Sequence, residues 1–321
     1  MSLFLNRGRT LRRVLGGVAL AAALAACGGG TSQYDAFDPG RVIAFGDENS
    51  LLDADGKRWT INYVTVDETT DVETFACKSN PIWVQRVASH YDFAFEECNP
   101  DDEVVKAFFR AADGAVVADL EAQIDAQVAA GGFRSDDLTT VMLGANDILA
   151  LYKQYPTRTA TDLKDEAAER GKALAKQVNR IVDLGGKVLL SDLPDMGLSP
   201  YALTEKAANT DIDRAELITA LVDAFNEALG TNILIDGRYI GLVQSNTRTK
   251  LMKKSPGSFD LDNVKLAACL STAELPDCNS QTLIEDASNN THLWADDWHL
   301  SPRAHYEIGR LAIARAEDNP F

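Results

Sequence analysis

The 321-residue sequence predicts an α/β fold, a single three-layer α/β/α domain around a mostly parallel sheet. Three observations carry this expectation. From Arg41 onward, short apolar runs alternate with amphipathic helical runs, as strands do when helices cover both faces of a sheet. The apolar runs end at small or polar residues, where ligand-facing loops begin. Beyond Asp38 there is no internal repeat and no linker, so one domain over 41–321 accounts for the chain better than two.

The elements follow in order. Arg41–Phe45 is a buried strand run that stops at Gly46. Ala115–Ala130 carries Val116, Leu120, Ile124 and Val128 at a spacing of four, one helical stripe closed by Gly131-Gly132. Thr139–Leu143 is a second strand, ending at Gly144. A long helix over Thr161–Leu184 turns Leu163, Ala167, Leu174, Val178 and Ile181 inward, with Gly185 just past its end. Lys187–Ser191 is a third strand, Ala215–Leu229 a helix, and Asn232–Asp236 a fourth strand. Pro302–Ala316 is a terminal helix with proline in its first turn. Ligands of such sheets collect beyond the carboxyl ends of the strands. The segments to search are therefore Gly46-Asp47-Glu48, Gly144-Ala145-Asn146-Asp147 and Asp192-Leu193-Pro194, with Asp296-Asp297-Trp298-His299 before the last helix.

Composition narrows the class. Hydrophobic residues make up 45% and charged residues 25%, an ordinary globular balance. The formal charge of -17 repels phosphate backbones and argues against nucleic acid as a partner. Residues 1–26 read as a lipoprotein signal peptide, with Arg7, Arg9, Arg12 and Arg13 before a short apolar stretch. The stretch ends Leu24-Ala25-Ala26-Cys27, which resembles the bacterial lipobox and implies a lipid on Cys27. Residues 27–40 then form a flexible tether. The expectation is a monomeric lipoprotein of the bacterial envelope, held to the membrane by its lipid; Gly28 after the cysteine suggests the outer membrane. Four cysteines remain, and three pairings are possible; local pairing, Cys77 with Cys98 and Cys269 with Cys278, is the simplest. The acidic run Asn99–Glu103 lacks the spacing of a calcium loop, so no metal is expected.

Four blocks together resemble the GDSL/SGNH hydrolase family. Ala44-Phe45-Gly46-Asp47 resembles its first block, Asp113-Gly114-Ala115 its second, Gly144-Ala145-Asn146-Asp147 its third and Asp296-Asp297-Trp298-His299 its fifth. The stretch Leu193–Pro200 resembles the segment after the central strand. The resemblance covers roughly Arg41 to Ala316 and implies an SGNH/flavodoxin-like fold, an ester hydrolase of the carboxylesterase or lipase kind, and no cofactor. Its substrate would be a small-molecule, lipid or polymer ester. The implied roles are His299 as base, Asp296 as the carboxylate that orients it, and the Gly114 amide with the Asn146 side chain as the oxyanion hole.

The nucleophile departs from the pattern. Where the family has serine after Gly-Asp, this chain has Glu48, and the next serine is Ser50. Three readings stand. Ser50 attacks from a shifted loop, which requires residues 48–50 to be extended; in a helical turn, positions 48 and 50 diverge. Alternatively Glu48 is itself nucleophile or base. Or the protein is a catalytically silent envelope protein that binds a glycan or ester-bearing ligand. His90, His292 and His305 have no motif partner and read as surface or packing residues, whereas Trp294 and Trp298 flank the His299 loop.

Overall fold

The computed structural model describes residues 37–321. The signal peptide 1–26, the lipidation site Cys27 and most of the tether lie outside the described residues. The last four tether residues, 37–40, belong instead to the folded unit. Phe37 packs edge-on against Phe321 with centroids 5.5 Å apart, and the Gly40 amide donates to the Asp136 carbonyl.

The central sheet has six strands: β1 (Arg41–Gly46), β2 (Ala94–Phe95), β3 (Val105–Phe109), β4 (Asp137–Met142), β5 (Lys187–Ser191) and β6 (Ile240–Val243). Their spatial order is β2-β3-β1-β4-β5-β6, and every pairing is parallel. Along β1 the side chains alternate between two cores. Ile43 and Phe45 face α2 (Leu120–Ala129), α3 (Ala145–Tyr152), α4 (Ala160–Asp183) and α6 (Arg214–Asn232). Val42 and Ala44 face α1 (Trp83–His90), α7 (Ser245–Lys254) and α8 (Pro302–Asp318). The remaining helix, α5 (Pro200–Ala208), packs beside α6. This is the expected three-layer α/β/α domain.

Some boundaries differ from the sequence reading. Asn232–Asp236 is not a strand: α6 continues to Asn232 and the chain then turns, leaving Ile235 87% exposed. The fourth strand of the sequence reading is instead β6, Ile240–Val243. In α2, Leu120 and Ile124 are buried but Val128 is exposed. A spacing of four advances about 40° per step round a helix, so the stripe drifts off the core, and Gln127 takes the inner position.

Strand β1 occupies the switch point. The chain leaves it for β2 and β3 on one side and returns to β4 on the other, so the loops after β1, β3 and β4 meet at one edge of the sheet. Both local disulfides form, Cys77–Cys98 and Cys269–Cys278. The second lies beside a small parallel strand pair, Asn263–Ala267 with His292–Trp294, that leads into the His299 loop.

Candidate active site

The loop after β1 is fixed before it delivers any chemistry. Gly46 has φ +134°, and a Cβ there would lie 2.0 Å from the Met142 carbonyl oxygen, so β1 can meet β4 this closely only with glycine. Gln123 from α2 clamps the same residue: its Nε2 donates to the Gly46 carbonyl at 2.8 Å and its Oε1 accepts from the Gly46 amide at 2.9 Å. Asp47 then caps a 3₁₀ turn, Glu48–Ser50, by accepting from the Asn49 amide. Burial, and the neighbouring Glu48 charge, hold the Asp47 carboxyl well above the usual carboxylate range.

A 3₁₀ turn advances about 120° per residue, so side chains 48 and 50 point roughly 240° apart. Ser50 is therefore not brought to the site. Its fully buried hydroxyl accepts a hydrogen bond from Trp83 Nε1 at 3.0 Å, on the α1 side of the sheet. The extended loop that a Ser50 nucleophile requires is not what these residues form.

Glu48 turns the other way, and three elements converge on it. The Gly114 amide, from the loop after β3, donates to Oε2 at 3.0 Å. Asn146 Nδ2, from the first turn of α3, donates to both carboxylate oxygens, to Oε2 at 3.0 Å and to Oε1 at 3.1 Å. His299 Nε2 faces Oε1 at 3.6 Å, an ion pair rather than a hydrogen bond. Gly114 has φ +67°, the left-handed conformation that aims its N–H into the cleft. Asp147 holds the Gly114 loop against α3 by accepting from the Val117 amide at 2.8 Å.

His299 is oriented by its own turn. Asp296 Oδ1 accepts from the His299 and Trp298 amides at 2.7 and 3.0 Å, and Oδ2 meets His299 Nδ1 at 2.7 Å. Trp298 lies against the imidazole, with ring centroids 3.7 Å apart. Burial alone would push the imidazole pKa down, but the carboxylates of Asp296 and Glu48 outweigh it and raise it to about 9. Burial likewise opposes the charge on Glu48, and His299 and Asn146 overcome it, so the Glu48 pKa is lowered. At neutral pH the site thus holds a protonated imidazole between two carboxylates.

The group forms the floor of a cleft of about 620 Å³. Aromatic and apolar walls come from Trp59, Leu149, Tyr201, Trp298, Leu270 and Leu275, while Asp113, Glu274, Asp297 and Lys153 supply charge. Of the sequence candidates, Glu48, Gly114, Asn146, Asp296 and His299 meet here. Trp298 lines the cleft, whereas Trp294 is buried in the core. The Asp192-Leu193-Pro194 segment does not join the cleft; Leu193 and Pro194 border a separate cavity of about 20 Å³. Sequence reasoning missed Gln123 and Trp59, which belong to no motif block, and the wall over 267–275, for which only Cys269 gave a signal.

A family model described as GDSL-like Lipase/Acylhydrolase matches residues 42–312. A curated protein similar to this chain is the phosphatidylcholine-sterol acyltransferase of Aeromonas hydrophila, 24% identical over 235 residues; the match covers 71% of this chain and 64% of that protein's length. Among solved structures, a catalytic mutant of an acetylxylan esterase from Geobacillus stearothermophilus is 14% identical with a TM-score of 0.44, covering 89% of this chain and 98% of that one. A lipolytic G-D-S-L family member from Veillonella parvula is 14% identical with a TM-score of 0.39, covering 86% and 95%. With a family model matched from β1 into α8, the chain belongs to the GDSL-like lipase/acylhydrolase family.

Proposed function

We propose that this chain is a hydrolase that cleaves ester bonds with water at the floor of the cleft, and that Glu48 is the attacking group. The observation that carries the reading is the convergence on one carboxylate: two oxyanion-type donors on Oε2, and His299 Nε2 facing Oε1. Oε1 attacks the ester carbonyl carbon, and the alcohol leaves with the proton of the His299 imidazolium. This leaves an acyl-glutamyl anhydride. Neutral His299 then takes a proton from water as the water attacks Cδ of Glu48. The oxyanion forms on Oε2, between Gly114 and Asn146, and the carboxylate product departs. Asp296 holds the imidazole and stabilises its charged form. The acidic residues of the cleft favour an uncharged ester, whether a small molecule, a lipid or a polymer.

One observation favours a second reading, a silent binding protein: Glu48 already fills both donors and, with Asp296, keeps His299 protonated up to about pH 9. Hydrolysis of p-nitrophenyl butyrate across pH 6–10 separates the two. The hydrolase reading expects turnover, a drop of about 100-fold or more in Glu48→Gln and in His299→Ala, and no fluorophosphonate label, because no serine is presented. A wild type inert toward aryl esters at every pH sinks the acyl form. We further propose that Cys27 carries a lipid anchor in the envelope; Cys27→Ser is expected to move the protein from the membrane to the soluble fraction, and unchanged membrane association would exclude the anchor.

A further inference from the structure

Two donors serve one oxygen in this site, and that oxygen belongs to the protein. The Gly114 amide and Asn146 Nδ2 both donate to Glu48 Oε2, and Asn146 also donates to Oε1 at 3.1 Å. If Glu48 attacks an acyl carbon, the first tetrahedral centre places its oxyanion on the substrate, and the hole's donors are already engaged. If Glu48 attacks a saturated carbon, the first step develops no oxyanion. The donors are then needed only when water attacks Cδ of Glu48, and for that step they are already in place.

We propose that Glu48 is also a nucleophile toward saturated carbon, and that this site hydrolyses the ester so formed on Glu48. This rests on the reading above that Glu48 is the attacking group and that His299 and the two donors bring water onto its Cδ. The substrate class is an uncharged primary alkyl electrophile whose leaving group departs as an anion, such as an alkyl halide. Glu48 is 2% exposed at the cleft floor, so only an unbranched carbon reaches Oε1, and the acidic residues disfavour anionic substrates. The apolar walls accommodate the alkyl chain.

The steps balance. Oε1 forms a C–O bond as the carbon–halogen bond breaks, and halide leaves. Glu48 loses its charge, so His299 keeps only Asp296 as a carboxylate partner and releases its proton to solvent. Neutral His299 then takes a proton from water as the water attacks Cδ, with the oxyanion on Oε2. Collapse expels the alkoxide, which takes that proton and leaves as the alcohol. The Glu48 carboxyl returns its own proton to His299. The sum is alkyl halide plus water giving alcohol, halide and a proton. Esterification of Glu48 thus switches on the base that hydrolyses the ester.

The test uses 1-bromohexane with the wild type, His299→Gln and Glu48→Gln, the fold of each checked by circular dichroism. His299→Gln is expected to accumulate a hexyl group on the Glu48 peptide, and Glu48→Gln to lose hexanol formation by about 100-fold or more. In a single turnover in H₂¹⁸O, the wild type places the label in the Glu48 carboxylate and releases unlabelled hexanol. Labelled hexanol with an unlabelled Glu48 means direct attack by water and overturns the proposal. Hydrolysis of p-nitrophenyl butyrate with no hexyl group on Glu48 in any variant overturns this inference and leaves the hydrolase reading standing. A hexyl group that persists equally on wild type and His299→Gln overturns the hydrolase reading, and with it the turnover proposed here.

Discussion

His299 and His305 stand six residues apart across the start of α8, and both are buried. Yet His299 is held protonated to about pH 9, and His305 stays neutral down to about pH 3. Burial opposes the charged form at both. At His299 two carboxylates overcome it. At His305 neither ring nitrogen has a hydrogen-bond partner among the described residues, and the cationic His299, Arg58 and Arg86 add to the penalty. Burial sets what a charge costs; the partners decide its sign.

The pair therefore gives opposite pH dependences. In the unfolded chain both titrate near 6.5. The folded His299 binds its proton more tightly, so its contribution to stability is present below about pH 6.5 and is lost as pH rises through about 9. The folded His305 resists protonation, so stability falls as pH drops from about 6.5 toward 3.

The strongest way to break the contrast is Asp296→Asn. It removes the nearest carboxylate, and the His299 pKa is expected to fall from about 9 to near the ordinary 6.5, with turnover reduced roughly 10³–10⁴-fold. Nitrogen-15 histidine titration reads the first and initial rates the second. A His299 that stays near 9 would mean that Glu48 alone holds the proton. A smaller effect sharpens the other side: His305→Leu leaves no polar group unpaired, and at pH 4 it is expected to recover about 3 kcal/mol of the acid loss seen in the wild type. Urea unfolding at pH 7 and pH 4 measures this, and an unchanged acid slope would assign the loss to other groups. The smallest effect concerns the serine left out of the site. Ser50→Ala is expected to keep turnover within about twofold and to cost about 1 kcal/mol, because Trp83 Nε1 loses its acceptor. Lost turnover in Ser50→Ala would return Ser50 to the mechanism.

The parts of the site legible in the sequence sit at element boundaries whose backbone is set locally. Gly114 needs a positive φ, Asn146 opens a helix, and Asp296 with His299 closes a single turn. The direction of Ser50 is not legible in the sequence, because it depends on whether three residues form an extended segment or a 3₁₀ turn. The Asp47 cap decides that, and the tetrapeptide does not announce it. Strands β1, β4 and β5 lie inside the sheet; β1 and β5 read as apolar runs, and β4 reads from the β-branched Thr139-Thr140-Val141 before Met142. The β2 strand has two residues, too few to show a pattern, and Lys106 breaks the apolar run of β3, which exposes three of its five residues. The Ile233–Ile235 run imitated a strand but caps a helix end that solvent reaches.

The Cys269–Cys278 bridge has a consequence for how this cleft diversifies. Its cysteines pack with Ile61, Ala268 and Ala295 in a cluster apart from the two cores that clamp the sheet. Leu270, Ala273 and Leu275, between the two cysteines, face the cleft. A covalent tie across nine positions lets that wall hold its shape without borrowing order from the sheet, at about 2–3 kcal/mol in the chain-entropy picture. The wall is thus a separable part. Its sequence can be rewritten to admit a different substrate while Glu48, Asn146 and His299 keep their places, and specificity in this chain can drift faster than its chemistry.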